Sequence, residues 1–250
     1  MEKMYIQMHL ASQYLAAAGI SFLEQKDDDS HTNLGFNSDG GYLETHPLSD
    51  TNDTLILNYN NFRLEWKSNR GSTFLKLDGT THEEVINWIS ETSMTSINKQ
   101  YKYNFHYDLP YSISNTTTFK LLDAGKLNDL LHLRILTQFI LERISTIYKL
   151  DSSIRIWPHH FDTGIYSAIP GSNISIGLGL AIPDVLCKEH YLYITGYKDS
   201  NVMDVSSLNK LSKGEWKSEN FKGALLNTKG IVESDGVAFF TEAISQYLNA

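Results

Sequence analysis

Apolar residues near the start of the chain recur at helical spacing. Met4, Met8, Ala11, Leu15 and Ala18 share one face, and the pattern predicts an amphipathic helix over residues 3–19, with Gly19 as its stop. Tyr5, His9, Ser12 and Gln13 make up the other side, which is expected to face solvent and could wall a pocket. A polar loop over 25–42 follows. Residues 54–59 read as an apolar strand. Phe62, Leu64 and Trp66 alternate with Arg63 and Glu65, the period of a half-buried strand, and a turn at 68–71 leads to another strand over 74–77. Thr80 and Thr81 each have a glutamate three residues on, which is the capping-box arrangement, and a helix follows with Val85, Trp88, Ile89 and Thr92 on its inner face.

Residues 94–119 are polar and aromatic and read as a linker. Leu127, Leu130, Leu131, Leu133, Leu136, Ile140, Ile144 and Ile147 then give the helix over 126–150 a wide apolar face, as in a helix buried over much of its girth. Four strand-like stretches follow at 154–157, 164–169, 175–181 and 191–197. A long polar loop over 199–220 comes next, and a last helix over 235–248. Strands in runs, not alternating with helices, imply an α+β fold with mainly antiparallel sheet and helices packed on it. The element order is helix, strands, helix, and then the same again. It fits one compact unit over 1–250 or two similar halves, 1–93 and 125–250, joined by the linker.

Composition narrows the function classes. In 250 residues, 41% are hydrophobic and 20% charged, enough apolar content for a packed core. A net charge of −8 argues against a general electrostatic grip on nucleic acid or anionic lipid. No stretch approaches the length of a membrane span. The start imitates a secretory signal only faintly, because Gln7, His9, Ser12 and Gln13 interrupt its apolar run. With Cys187 the only cysteine, an intrachain disulfide is excluded. These features fit a cytoplasmic protein.

Phosphate-loop, nucleophile-elbow, H-E-x-x-H and C-x-x-C motifs are absent, and Gly177-Leu178-Gly179 opens no helix, so these glycines read as close backbone approach within a strand. The chemistry concentrates in Trp157-Pro158-His159-His160-Phe161-Asp162. If this stretch is extended, His160 and Asp162 share one face and Trp157, His159 and Phe161 the other. An imidazole beside a carboxylate suits a metal pair, a general base, or a structural hydrogen bond. A second polar group, Asp29 and His31, lies in the 27–33 loop. Folded over the first, it would bring two imidazoles and two carboxylates together. Tyr191, Tyr193 and Tyr197 alternate along one strand face.

With those residues in view, the chain resembles a family of bacterial proteins that has no assigned function. Its Val-Arg-x-Trp-Pro-His-His-Phe-Asp stretch is matched by 154–162, its glycine strand by 175–180 and its Asp-Ser-His-Thr-Asn-Leu loop by 29–34. The family's Pro-Tyr-Phe-Tyr-Val strand is matched by 190–194, Tyr-Asp-Leu-Pro by 107–110 and Gly-x-Trp by 214–216. Ala181-Ile182-Pro183-Asp184 and Gly196-Tyr197-Lys198 depart from the family's turns. The resemblance implies no reaction.

Three functions follow from the residues. The first is binding of a small ligand or a divalent metal at a pocket of Asp29, His31, Trp157, His159, His160 and Asp162, with His160 and Asp162 as metal ligands. Zinc, iron, nickel or manganese would suit them. The second is a metal-assisted hydrolase. The third is a structural or interaction protein without catalysis. The sequence names no ligand, reaction or oligomeric state.

Overall fold

A computed structural model describes residues 3–250. The fold is α+β, and the described residues form four helices and two antiparallel sheets of five and seven strands. It divides into two compact units. Unit 1 takes in residues up to His132 together with Ile156–Phe161, and unit 2 comprises Leu133–Arg155 and Asp162–Ala250.

Unit 1 is built around α1 (Met4–Phe22). The predicted amphipathic helix is instead buried on nearly every side, with Gln7, His9, Ser12 and Gln13 at 0–1% exposure beside Leu10, Tyr14 and Leu15. Small side chains at Ala16, Ala17 and Ala18 let other segments close over it. Gly19 does not stop the helix. It lies inside α1, where a Cβ would sit 2.6 Å from the backbone oxygen of His31. The glycine is there because the 23–34 loop crosses the helix at that point.

Helix α1 packs on β3 of a five-stranded meander, β1 (Gly35–Asn37), β2 (Tyr42–Glu44), β3 (Thr54–Asn58), β4 (Arg63–Ser68) and β5 (Gly71–Lys76), paired in chain order. The predicted alternation is realised in β4, where Leu64 and Trp66 are buried between the half-buried Arg63 and Glu65. Helix α2 (His82–Ile97) starts at the predicted capping box. Thr81 Oγ1 accepts from the Glu84 amide at 3.3 Å, and Glu84 accepts from the Thr81 amide at 2.8 Å. Its buried residues are His82, Val85, Ile89 and Ser93.

The segment expected as a linker belongs to unit 1 and is packed against it. Tyr101, Tyr103, Phe105, Tyr107, Leu109, Tyr111 and Ile113 are buried or half-buried, while the residues between them are exposed. This strap makes few bonds of its own and is held by side chains. The Tyr101 hydroxyl donates to the Tyr14 carbonyl at 3.2 Å, and the Tyr103 ring lies 5.2 Å from that of Tyr14. Beyond it, the Phe119 and Thr80 backbones pair, and the Lys120 amide donates to Gln7 Oε1 at 3.2 Å.

The long helix α3 (Ala124–Tyr148) contributes residues to both units. In unit 2 its Ile140, Leu141 and Ile144 join Leu178, Leu192, Ile194, Phe239, Phe240 and Ile244 in one core. Truncating a fully buried phenylalanine in such a core costs about 3–5 kcal/mol. Strands β6 (Arg155–Trp157), β7 (Asp162–Ala168), β8 (Ile174–Ala181) and β9 (Tyr191–Lys198) match the four predicted stretches. Three more, β10 (Asn201–Val202), β11 (Glu215–Lys217) and β12 (Gly223–Asn227), form where a loop was expected or nothing was read, and α4 (Glu233–Leu248) closes the chain. Within unit 2 the strand order is β11-β12-β9-β8-β7, with β10 also on β9.

Register explains the glycine strand. Gly179 faces Gly164 on one side and Tyr193 on the other. A Cβ at Gly179 would lie 1.9 Å from the Thr163 oxygen, and one at Gly164 would lie 2.9 Å from the Tyr193 hydroxyl. Glycine at 164 therefore leaves room for the Tyr193 hydroxyl, and glycine at 179 admits the backbone of β7.

Candidate functional site

The 157–162 stretch is not extended. Trp157 ends β6, residues 158–161 form a turn, and Asp162 opens β7, so the face-sharing expected of His160 and Asp162 does not follow from strand alternation. The Phe161 amide donates to the Trp157 carbonyl at 2.7 Å. Phe161 has φ 58°, the left-handed region that a bulky aromatic residue rarely occupies, and such conformations persist only where surrounding structure enforces them.

Here the enforcement comes from the polar side of α1. His9 Nε2 lies 2.8 Å from the Pro158 carbonyl oxygen, and Gln13 Nε2 donates to the same oxygen at 2.7 Å. A carbonyl only accepts, so His9 carries its proton on Nε2 in this contact. The His9 ring stacks on Phe161, with centroids 5.2 Å apart and planes 4° from parallel, and meets the Tyr111 ring edge-on at 5.4 Å. Gln13 Oε1 accepts from the Tyr107 hydroxyl at 2.8 Å. Two of the residues expected to face solvent, His9 and Gln13, are thus the clamp of the turn.

The turn presents two imidazoles. The His159 and His160 rings lie 4.1 Å apart; His159 is half-buried and His160 exposed. Tyr107 packs 5.7 Å from the His159 ring. Burial, followed by the charges of Tyr103 and Asp29, pushes the Tyr107 phenol well above its ordinary value. Burial, and then Tyr5, pushes Tyr111 up to about 12. Both phenols are therefore neutral donors throughout the physiological range.

The 27–33 loop adjoins this region through the backbone. Leu34 and Ile156 exchange both hydrogen bonds, at 2.9 and 3.0 Å. Asp29, however, pairs with His106 of the strap at 2.9 Å, not with an imidazole of the turn. His31 is buried and accepts the Lys26 amide on Nδ1 at 3.3 Å, a contact within its own loop. Three of the six predicted residues thus fall into two pairs, His159 with His160 and Asp29 with His106, which was not among the six, and Trp157 supplies a backbone acceptor. Asp162 lies in unit 2, where its Oδ2 accepts from the Tyr193 hydroxyl at 2.7 Å. Among the described residues, no group of three or more His, Cys, Asp or Glu side chains could hold a metal ion.

Residues that the sequence reading left out are His9 and Gln13 as clamp, Tyr107, Tyr111 and His106. The aromatic alternation from Tyr101 to Ile113 is the signal for Tyr107 and Tyr111; His106 lies out of its phase and has none.

Unit 2 holds a second polar group. Arg134, 6% exposed, donates to Thr163 Oγ1 at 2.6 Å. Burial and then the Arg134 charge push His190 down to about 4. Tyr191 donates to Asp184 at 2.7 Å. No described helix is long and apolar enough to cross a membrane. No protein-family model, curated protein or solved structure matches the chain.

Proposed function

We propose that this is a cytoplasmic protein that binds a small polar ligand at the 158–161 turn, with His159 and His160 as recognition groups and Tyr107 as a wall. The observation that carries this reading is the strained Phe161 at φ 58°, held by the buried polar side of α1 behind an exposed imidazole. Strain maintained beside accessible chemistry is typical of functional sites. Two adjacent imidazoles supply both donors and acceptors, which suits a ligand with carboxylate or amide oxygens. The net charge of −8 argues against a large polyanion as that ligand. The divalent-metal branch, and the hydrolase that would depend on it, have only two adjacent imidazoles in their favour.

The test is a panel of small carboxylates and carboxamides, followed through the ring C–H signals of the nine histidines in an NMR spectrum. The reading expects shifts at His159 and His160, lost in His160→Ala with the melting temperature unchanged. A silent panel, or a His160→Ala protein that is markedly destabilised, refutes it.

A further inference from the structure

A separate cavity in unit 1 has its own chemistry. It encloses about 210 Å³ between the β3–β4 turn at 59–62 and the start of α3. Its apolar floor comes from the buried Phe62, Leu127 and Leu131. Three carboxamides, Asn60, Asn61 and Asn128, stand at its mouth. Among the described residues, no Lys, Arg, His, Asp or Glu lines it.

The local backbone is shaped around this space. Phe62 turns the chain at φ 43°, another bulky aromatic in the left-handed region. Gly41, at φ 66°, lets Asn60 approach: a Cβ there would lie 2.6 Å from Asn60 Nδ2 and 3.2 Å from Leu131 Cδ2. Asn60 donates to the Gly40 carbonyl at 3.1 Å, which fixes its amide group and leaves Oδ1 to accept. Asn128 spends its Nδ2 on His132 at 3.3 Å in the same way.

We infer that this cavity is a binding site for a small, uncharged, polyhydroxylated ligand of monosaccharide or cyclitol size. The volume is below the range of about 300–1,000 Å³ of drug-sized pockets. A charged ligand would lose water here and meet no counter-charge. Carboxamides both donate and accept, as hydroxyls do, so they match a hydroxyl array. The leucine and phenylalanine floor matches the C–H face of a sugar ring. The site shares no residue with the histidine turn, so each proposal can fail without the other.

The experiment titrates the full chain with glucose, galactose, mannose and myo-inositol, and separately with glucuronate and glucosamine. It reads the side-chain amide signals of the asparagines in a ¹H–¹⁵N spectrum. The inference expects a neutral member to shift Asn60, Asn61 and Asn128. It expects the charged analogues to bind about tenfold more weakly or not at all, a loss of at least ~1.4 kcal/mol. Ala124→Trp, on the exposed rim, should plug the cavity and abolish the shifts while leaving the melting temperature in place. Should Ala124→Trp unfold the protein, Asn128→Leu replaces it, since it removes a carboxamide donor and acceptor from the mouth and should weaken neutral-sugar binding about tenfold. The inference is overturned if no neutral compound shifts these signals, if a charged analogue binds more tightly, or if the folded variant binds as the parent does.

Discussion

Replacing Gln13 by leucine removes half of the clamp on the histidine turn while keeping roughly the same volume. The glutamine is fully buried and makes two strong contacts with other segments, to the Pro158 oxygen at 2.7 Å and from the Tyr107 hydroxyl at 2.8 Å. Each such bond is worth about 0.5–1.5 kcal/mol net, and leaving the half-buried Tyr107 hydroxyl without its acceptor adds about 1–3 kcal/mol. The buried leucine returns about 1 kcal/mol of apolar burial. The expected loss is therefore about 1–5 kcal/mol, or roughly 2–20 °C in melting temperature for a chain of this size. Urea unfolding followed by circular dichroism and by tryptophan fluorescence measures it. Gln13→Glu keeps the shape and acceptor but turns a carboxylate onto the Pro158 carbonyl, so it should cost at least as much. The exposed His160→Ala should stay within about 0.5 kcal/mol of the parent. A Gln13→Leu protein as stable as the parent would mean that the contact does not hold the turn.

Two further outcomes follow from the geometry. With its folded pKa held down at about 4, below the ordinary imidazole value near 6.5, His190 contributes stability that is full above pH ~6.5 and is lost as pH falls toward 4. The fall in stability from pH 7 to pH 4 should be shallower in His190→Gln, and the His190 ring signals in the parent should titrate near 4; a midpoint above 6 contradicts this. Gly19→Ala should destabilise by about 1–3 kcal/mol despite better helix propensity, because its methyl meets the His31 oxygen at 2.6 Å; a gain in urea midpoint would contradict the close packing of that loop.

Much of the fold was legible where one local rule decided the outcome. The alternation in β4, the Thr81–Glu84 capping box and the four strands from β6 to β9 needed only period and end signals. The three-residue strands β1 and β2 did not, because their pairing depends on neighbours distant in the chain. Residues 223–227 are apolar, but with a long polar loop before them they gave no pattern of their own. Helix α1 misled for a different reason. His9, Ser12 and Gln13 look like a wet face, and only the arrival of Pro158 and Tyr107 from far along the chain makes them a buried one. The strap from Tyr101 to Ile113 did carry a readable period of two, outweighed by its polar composition.

The site was half legible. The sequence located the dense chemistry at 157–162, but an aromatic residue at φ 58° has no signature, since glycine or asparagine is the usual occupant of that region. A turn earlier in the chain shows the contrast. Helix starts at Met4 and Ala124, strand starts at Gly35 and Arg155, and left-handed residues Gly41 and Phe161 are all 120 positions apart. Gly41 donates to Asn37 at 2.9 Å, as Phe161 does to Trp157. Glycine occupies the left-handed position of the earlier turn and an enforced phenylalanine that of the histidine turn.

The most direct measurement is the hydrogen exchange of the Phe161 amide, in the parent and in Gln13→Leu. If the polar side of α1 fixes the histidine turn, this amide exchanges slowly in the parent and markedly faster in the variant, while the β3–β4 amides keep their rates. Free exchange at Phe161 in the parent would show a turn that nothing holds.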